Sequence, residues 1–169
     1  GDQHGIVARD SIDLQLLAVE VHDPLTGPAV DIDNSGLPRD GMVIIDDMRI
    51  NLNQSNYAIR LQDVNAEIHG LDLSGDNGGV FWSAGDSITS YLSTSIISGN
   101  SGSCFDIVDH SELVVNNLGL ACATGSKPTV ESSFVNFTDS GFIPGTGHET
   151  TFHLESSSHV RWISSSSIS

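Results

Sequence analysis

The stretch Tyr57–Gly78, YAIRLQDVNAEIHGLDLSGDNG, restricts the fold more than any other part of this chain. Ile59 and Leu61 alternate with Arg60. After a bend at Gln62 and Asp63, Ala66 and Ile68 alternate with Glu67, and beyond Gly70, Leu71 and Leu73 alternate with Asp72. Each trio places two apolar side chains on one face and a charge on the other, the period-two pattern of a half-buried strand. The bends are too short for a meander and carry no two-residue hairpin signature. Three short strands joined by two corners, followed by a Gly-rich loop, describe one coil of a parallel β-helix.

The rest of the chain repeats this coil. First-strand anchors fall at Ile6, Val30, Ile59, Val80 and Phe105, at intervals of 24, 29, 21 and 25 residues. Third-strand anchors are expected at Val19, Ile50, Leu71, Ile96 and Leu118. The long interval in each series belongs to the coil holding the GLPRDG insertion. A sixth coil, around residues 129–147, is the poorest match, and TDSGFIPGTGHE reads as a long loop; a seventh returns at Phe152-His153-Leu154 with Val160 and Trp162. The expectation is an all-β, right-handed parallel β-helix of about seven coils with three short strands each, since crossovers between parallel strands are overwhelmingly right-handed. Asp and Ser recur at the first corner (Asp10-Ser11, Asp86-Ser87, Asp109-His110-Ser111), where short polar side chains bond nearby backbone and tolerate tight turns.

Residues 1–169 read as a single domain. A solenoid must cap its ends or present unpaired strand edges, and neither GDQHG nor ISSSSIS is an amphipathic capping helix. The chain is therefore expected to be a segment of a longer protein or to have its ends covered by partners. The N-terminus lacks a basic region followed by an apolar run, so no signal peptide is read, although a secreted chain with its leader removed would look the same. No apolar run approaches the roughly 20 residues of a membrane span.

Net charge is -16, and the six basic residues, Arg9, Arg39, Arg49, Arg60, Lys127 and Arg161, are scattered. Nucleic-acid backbone and anionic membrane surfaces need clustered cations and are disfavoured as partners. Asp-rich turns leave calcium as an alternative to a merely solvated acidic surface. Cys104 and Cys122 lie near the start and end of one coil. A disulfide closing that coil is compatible with their placement, and two buried thiols are the alternative. No zinc or redox CxxC spacing occurs.

Outward positions stack between coils, so a site must be assembled across them. The first sheet offers Val7, Asp31, Arg60, Phe81, Asp106 and His153. The second offers Asp13, Glu67 and Glu112, with Arg161 further along, and the third Glu20, Asn51, Asp72, Ile97 and Gly119. Asp31, Arg60, Phe81, Asp106 and His153 form a candidate sugar-binding strip. Glu20 and Asp72, two coils apart, would be separated by about 9.6 Å, the edge of the window for inverting glycoside hydrolysis. With Asp106 they are the candidate catalytic carboxylates. Asp31, Asp33, Asp46 and Asp47 with Arg49 or Arg60 are the only local approximation to a calcium-dependent lyase site. Gly85-Asp86-Ser87 has no partner histidine in register, and the histidines of His148-Glu149-Thr150-Thr151-Phe152-His153 are five apart in β-like sequence, so neither is read as catalytic. The sequons at Asn53 and Asn136 matter only in a eukaryotic secretory route. Trp82 and Trp162 fall at inward positions and are read as core.

The run of short strand, two-residue bend, strand, turn, strand and variable loop resembles the pectin-lyase-like right-handed β-helix superfamily, over nearly the whole chain. STSIISGNSGSCFDIVDHSELVV looks most like the Ser/Asn/Gly-rich coils of phage tailspikes and secreted adhesins. The resemblance implies an extracellular or virion-surface location and two classes of function. One is a non-catalytic module for adhesion, glycan or host-surface recognition, or a structural shaft, alone or as a trimer. The other is a polysaccharide lyase or glycosidase working in a groove between coils. The residues favour the first, because no catalytic set converges.

Overall fold

The computed structural model describes residues 5–10, 13–22, 27–35, 42–51, 57–75, 79–84, 89–99, 104–110, 112–123, 125–143 and 152–163. The GLPRDG insertion, the Gly85-Asp86-Ser87 corner, His148 to Thr151 and the Asn53 sequon lie outside these residues. Within them the chain is all-β, with no helix. In chain order the strands are β1 (Ile6–Arg9), β2 (Asp13–Leu17), β3 (Glu20–His22), β4 (Val30–Asp33), β5 (Met42–Asn51), β6 (Ile59–Gln62), β7 (Asn65–Ser74) and β8 (Val80–Ser83). They continue with β9 (Ser90–Gly99), β10 (Phe105–Val108), β11 (Leu113–Cys122), β12 (Thr129–Glu131), β13 (Phe134–Thr138), β14 (Gly141–Phe142), β15 (His153–Glu155) and β16 (His159–Ile163).

Two parallel sheets stack into a β-solenoid. The first runs β1-β4-β6-β8-β10-β12-β15, and the second β2-β5-β7-β9-β11-β13-β16, with β3 beside β5 and β14 beside β11. The first-strand ladder Ile6–Val30–Ile59–Val80–Phe105 is in register as the repeat predicts. Of the residues expected to form a loop after Thr138, Gly141 and Phe142 instead supply β14, paired with β11.

Three expectations are corrected. The stack amounts to about five turns covered on both sides, with one further rung at each end, rather than seven equivalent coils. Among the described residues, the rungs at either end have a neighbour on one side only, and Ile6, Ala8, Leu14, Phe152 and Val160 are part-buried, unlike their counterparts between. Second, in four coils the second and third limbs join in the ten-residue strands β5, β7, β9 and β11, whereas β1–β3 and β12–β14 keep three short strands per coil. Third, the third-limb register differs: Met48 pairs with Leu71 and Ile50 with Leu73, while Ile97 rather than Ile96 points inward. The outward row is therefore Glu20–Arg49–Asp72–Ile96–Gly119, with Arg49 in place of Asn51 and Ile96 in place of Ile97.

The corner at Thr94 explains the exchange of Ile96 and Ile97. Asp10, Asp63, Asp109, Ser132 and Ser156 hold the first corner with positive φ, and Ala18, Asp47, Gly70, Thr94, Asn117 and Asp139 hold the second. One left-handed residue turns the chain without a loop, and Asp and Asn tolerate that region best among side-chain-bearing residues. It also takes one residue out of the alternation and resets the inward phase beyond it.

The same corners leave a backbone donor to be satisfied. The N–H groups of Leu71, His110 and Leu118, each following a left-handed residue, donate to the Oγ of Ser95, Ser133 and Ser140 on the next rung, at 3.2, 3.0 and 3.1 Å. Those hydroxyls donate in turn to the carbonyls of Ser93, Glu131 and Thr138. The corner serines are thus buried structural residues with both hydrogen-bonding roles used.

Inside, Ile32, Leu61, Trp82 and Ile107 from the first sheet meet Ile45, Ile68, Leu92 and Val115 from the second. Trp82 is fully buried and its indole N–H donates to Val64 O at 2.8 Å. Trp162 also faces inward, packed on Phe137 with centroids 4.8 Å apart, but it belongs to the last rung and keeps 37% exposure. Cys104 and Cys122 form a disulfide with Cα atoms 5.5 Å apart, tying the start of β10 to the end of β11. Gly79 packs so closely beneath Cys104 that an added Cβ would lie 1.7 Å from the Cys104 carbonyl oxygen, and its φ is +77°.

Candidate functional site

Strand alternation and register together build a polar grid on the third limb. Glu20 and His22 point outward from β3 on either side of Val21. Arg49 and Asn51 do so around Ile50 in β5, and Asp72 and Ser74 around Leu73 in β7. Because the three limbs pair in register, Glu20, Arg49 and Asp72 form one row and His22, Asn51 and Ser74 the next. These six side chains line a cleft of about 140 Å³. A second hollow of about 190 Å³ shares Glu20 and Arg49 and continues past the corner at Ala18 and Asp47. His22 Nε2 lies 3.0 Å from Glu20 Oε1. Charge alternates along the first row, acid, base, acid, and the second row adds imidazole, amide and hydroxyl groups.

The structure thus places both third-limb carboxylates of the sequence reading, Glu20 and Asp72, in one row. It also inserts Arg49 between them, which the expected series did not contain. Two rung spacings separate the carboxylates by about 9.6 Å, with the guanidinium-bearing residue occupying the intervening position.

The first-sheet strip is in register along Asp31, Arg60, Phe81, Asp106, Thr129 and His153. Its parts are largely engaged with one another. Asp31, 3% exposed, accepts from Arg9 Nη2 at 2.6 Å and from Arg60 Nη1 at 3.1 Å, so one carboxylate ties three rungs. Arg60 also reaches Gln62. Tyr57 packs on Phe81 and its hydroxyl donates to Asp106 Oδ2 at 2.9 Å, while Asp106 Oδ1 is buried with no hydrogen-bond partner among the described residues. His153 stands two rungs beyond Asp106, exposed and 2.8 Å from Glu155. Asp31 and Asp106 are thus buried by the strip rather than presented outward by it. Their shielding fits an interlocking role better than direct contact with a large ligand.

The acidic set considered for calcium is divided: Asp31 and Asp33 belong to β4 in the first sheet, Asp46 and Asp47 to β5 in the second. Asp33 accepts the Ser35 N–H at 3.0 Å, and hydrogen bonding from Ser35 holds its carboxyl below the usual range. Asn136, in its sequon, donates to Glu112 Oε1 at 3.0 Å.

One buried titratable group was not singled out from the sequence. His110 follows the first corner of its coil and lies inside the solenoid, its ring edge-on to Trp82 with centroids 5.0 Å apart. Nδ1 is 3.1 Å from Val108 O, and Nε2 is buried with no partner among the described residues. Burial lowers its pKa to about 4. The sequence signal was present, since Asp109-His110-Ser111 puts histidine where Asp10-Ser11 and Asp86-Ser87 have serine.

No known protein family, curated protein or solved structure matches this chain.

Proposed function

We propose that this β-solenoid is an extracellular or virion-surface recognition module that binds glycan on the outward face of its third limb. The reading is carried by the grid of Glu20, Arg49, Asp72, His22, Asn51 and Ser74 around one cleft. Vicinal sugar hydroxyls both donate and accept, and the grid offers acceptors beside donors at the rung spacing of about 4.8 Å. The grid stands on rigid, in-register strands, which keeps the ordering cost of binding small. The Cys104–Cys122 disulfide supports an oxidising compartment. The coil pattern supports placing the chain near tailspikes and adhesins of the pectin-lyase-like type, at the level of architecture alone.

A second reading, polysaccharide cleavage, is favoured by the separation of Glu20 and Asp72 at the edge of the inverting window. Against it, Arg49 occupies the row where a scissile bond and its water would have to lie. One experiment separates the two: incubate the protein with a panel of acidic and neutral polysaccharides, measuring binding and new reducing or unsaturated ends together. Binding without cleavage, weakened about tenfold or more by Arg49→Ala, is the expected result. Cleavage abolished by Glu20→Gln or Asp72→Asn would establish the enzymatic reading instead.

A further inference from the structure

The two end rungs of the solenoid are complementary to each other. We infer that this chain assembles head to tail, the β15–β16 rung of one copy pairing with the β1–β2 rung of the next and continuing both sheets across the junction.

Single ladder columns run from one end rung to the other. One outward column reads Leu17, Asp46, His69, Ser93, Asn116, Thr138, Ile163. Every internal position is polar, and the apolar residues sit at the two ends, Leu17 at 57% and Ile163 at 44% exposure. Scattered exposed apolar residues need no explanation. Two that close the same column, with five polar residues between, would meet in a head-to-tail junction and bury each other.

Neighbouring columns agree. Extending the register by one rung sets Glu155 over Arg9, an opposite-charge pair; Arg9 is bridged to Asp31 but keeps 45% of its side chain exposed. It sets His159 over Asp13. Inside, Leu154 would lie over the small Ala8, and Trp162 over Leu16, completing the core on the last rung, where Leu154 is 51% exposed. Among the described residues, the strands of both end rungs have a ladder partner on one side only. Such edges template further pairing. The contact is heterologous, so repetition gives an open filament rather than a closed ring.

Net charge of -16 opposes assembly, so association should strengthen with ionic strength. The test is sedimentation over a range of protein and salt concentrations, with electron microscopy of the largest species. Head-to-tail assembly predicts growth with both variables and an axial repeat of roughly 34 Å, seven rungs at about 4.8 Å. Leu17→Lys and Ile163→Glu should each weaken association about tenfold or more, by removing the apolar pair and leaving a charge against it. The double variant should recover it through a Lys–Glu pair, and a mixture of the two single variants should recover it as well, because unaltered junctions then alternate with Lys–Glu ones. A protein monomeric under all conditions overturns the inference. So does an assembly indifferent to Leu17→Lys, or one lacking the axial repeat, as a lateral trimer would.

Discussion

His110 shows how much depends on one side chain placed at a corner. Its ring packs beside Trp82, and its Nδ1–H can be satisfied by Val108 O, but the buried Nε2 has no partner among the described residues to accept a proton placed on it. Folded, the group titrates near pH 4; unfolded, near 6.5. Between those values the unfolded chain binds a proton that the folded chain refuses. The stability from keeping His110 neutral is therefore fully present above pH 6.5 and declines as pH falls toward 4, by up to about 3 kcal/mol. Urea titrations at intervals from pH 7 to 4 should show wild-type stability falling more steeply than that of His110→Phe, which keeps an aromatic ring against Trp82 and cannot protonate. Parallel slopes would mean that carboxylates alone set the acid sensitivity.

At the scale of the strand and its corner, the pairing of a left-handed residue with a following serine is the recurrent device. Removing the hydroxyl of Ser140 strands the Leu118 N–H inside the stack and leaves Thr138 O without its donor. Ser140→Ala should cost about 1–3 kcal/mol in chemical denaturation. Ser93→Ala, whose hydroxyl faces outward to His69, should cost less than about 0.5 kcal/mol. Equal losses would show that the corner serines are not special. This device also explains which parts of the fold could be read from residues. The first-sheet ladder was legible because its strands are short and their apolar residues alternate without interruption. The third limb was not, because the left-handed corner resets the phase and puts polar Ser95 inward and apolar Ile96 outward. Arg49 was concealed differently, by pairing Ile50 with Leu71 instead of Leu73, a two-residue slip that put the equally outward Asn51 in its row and hid the acid–base–acid order of the candidate cleft. Glu20 and Asp72 were still visible, since each borders its corner at the same offset.

For the molecule as a whole, stability should be distributed along one axis, because each rung touches only its neighbours. The central rungs are covered on both sides, and their inward residues Ile45, Ile68, Leu61 and Val115 are buried. At the ends, Ile6, Leu14 and Val160 are only part-buried. The Cys104–Cys122 disulfide adds a local staple: it closes one coil across a sequence separation of 18, a loop for which chain entropy is worth about 3 kcal/mol. Hydrogen exchange on the dilute protein should therefore be slowest in β7, β9 and β11 and fastest in β1, β2, β15 and β16. Reducing the disulfide, or replacing both cysteines with alanine, should accelerate exchange in β10 and β11 and in the rungs beside them. Strands β4 and β2, three and four rungs away, should keep their rates, since in a stack of this kind a lost staple loosens its own neighbourhood first. Uniform acceleration from β2 to β16 would instead show that the solenoid opens as one cooperative unit.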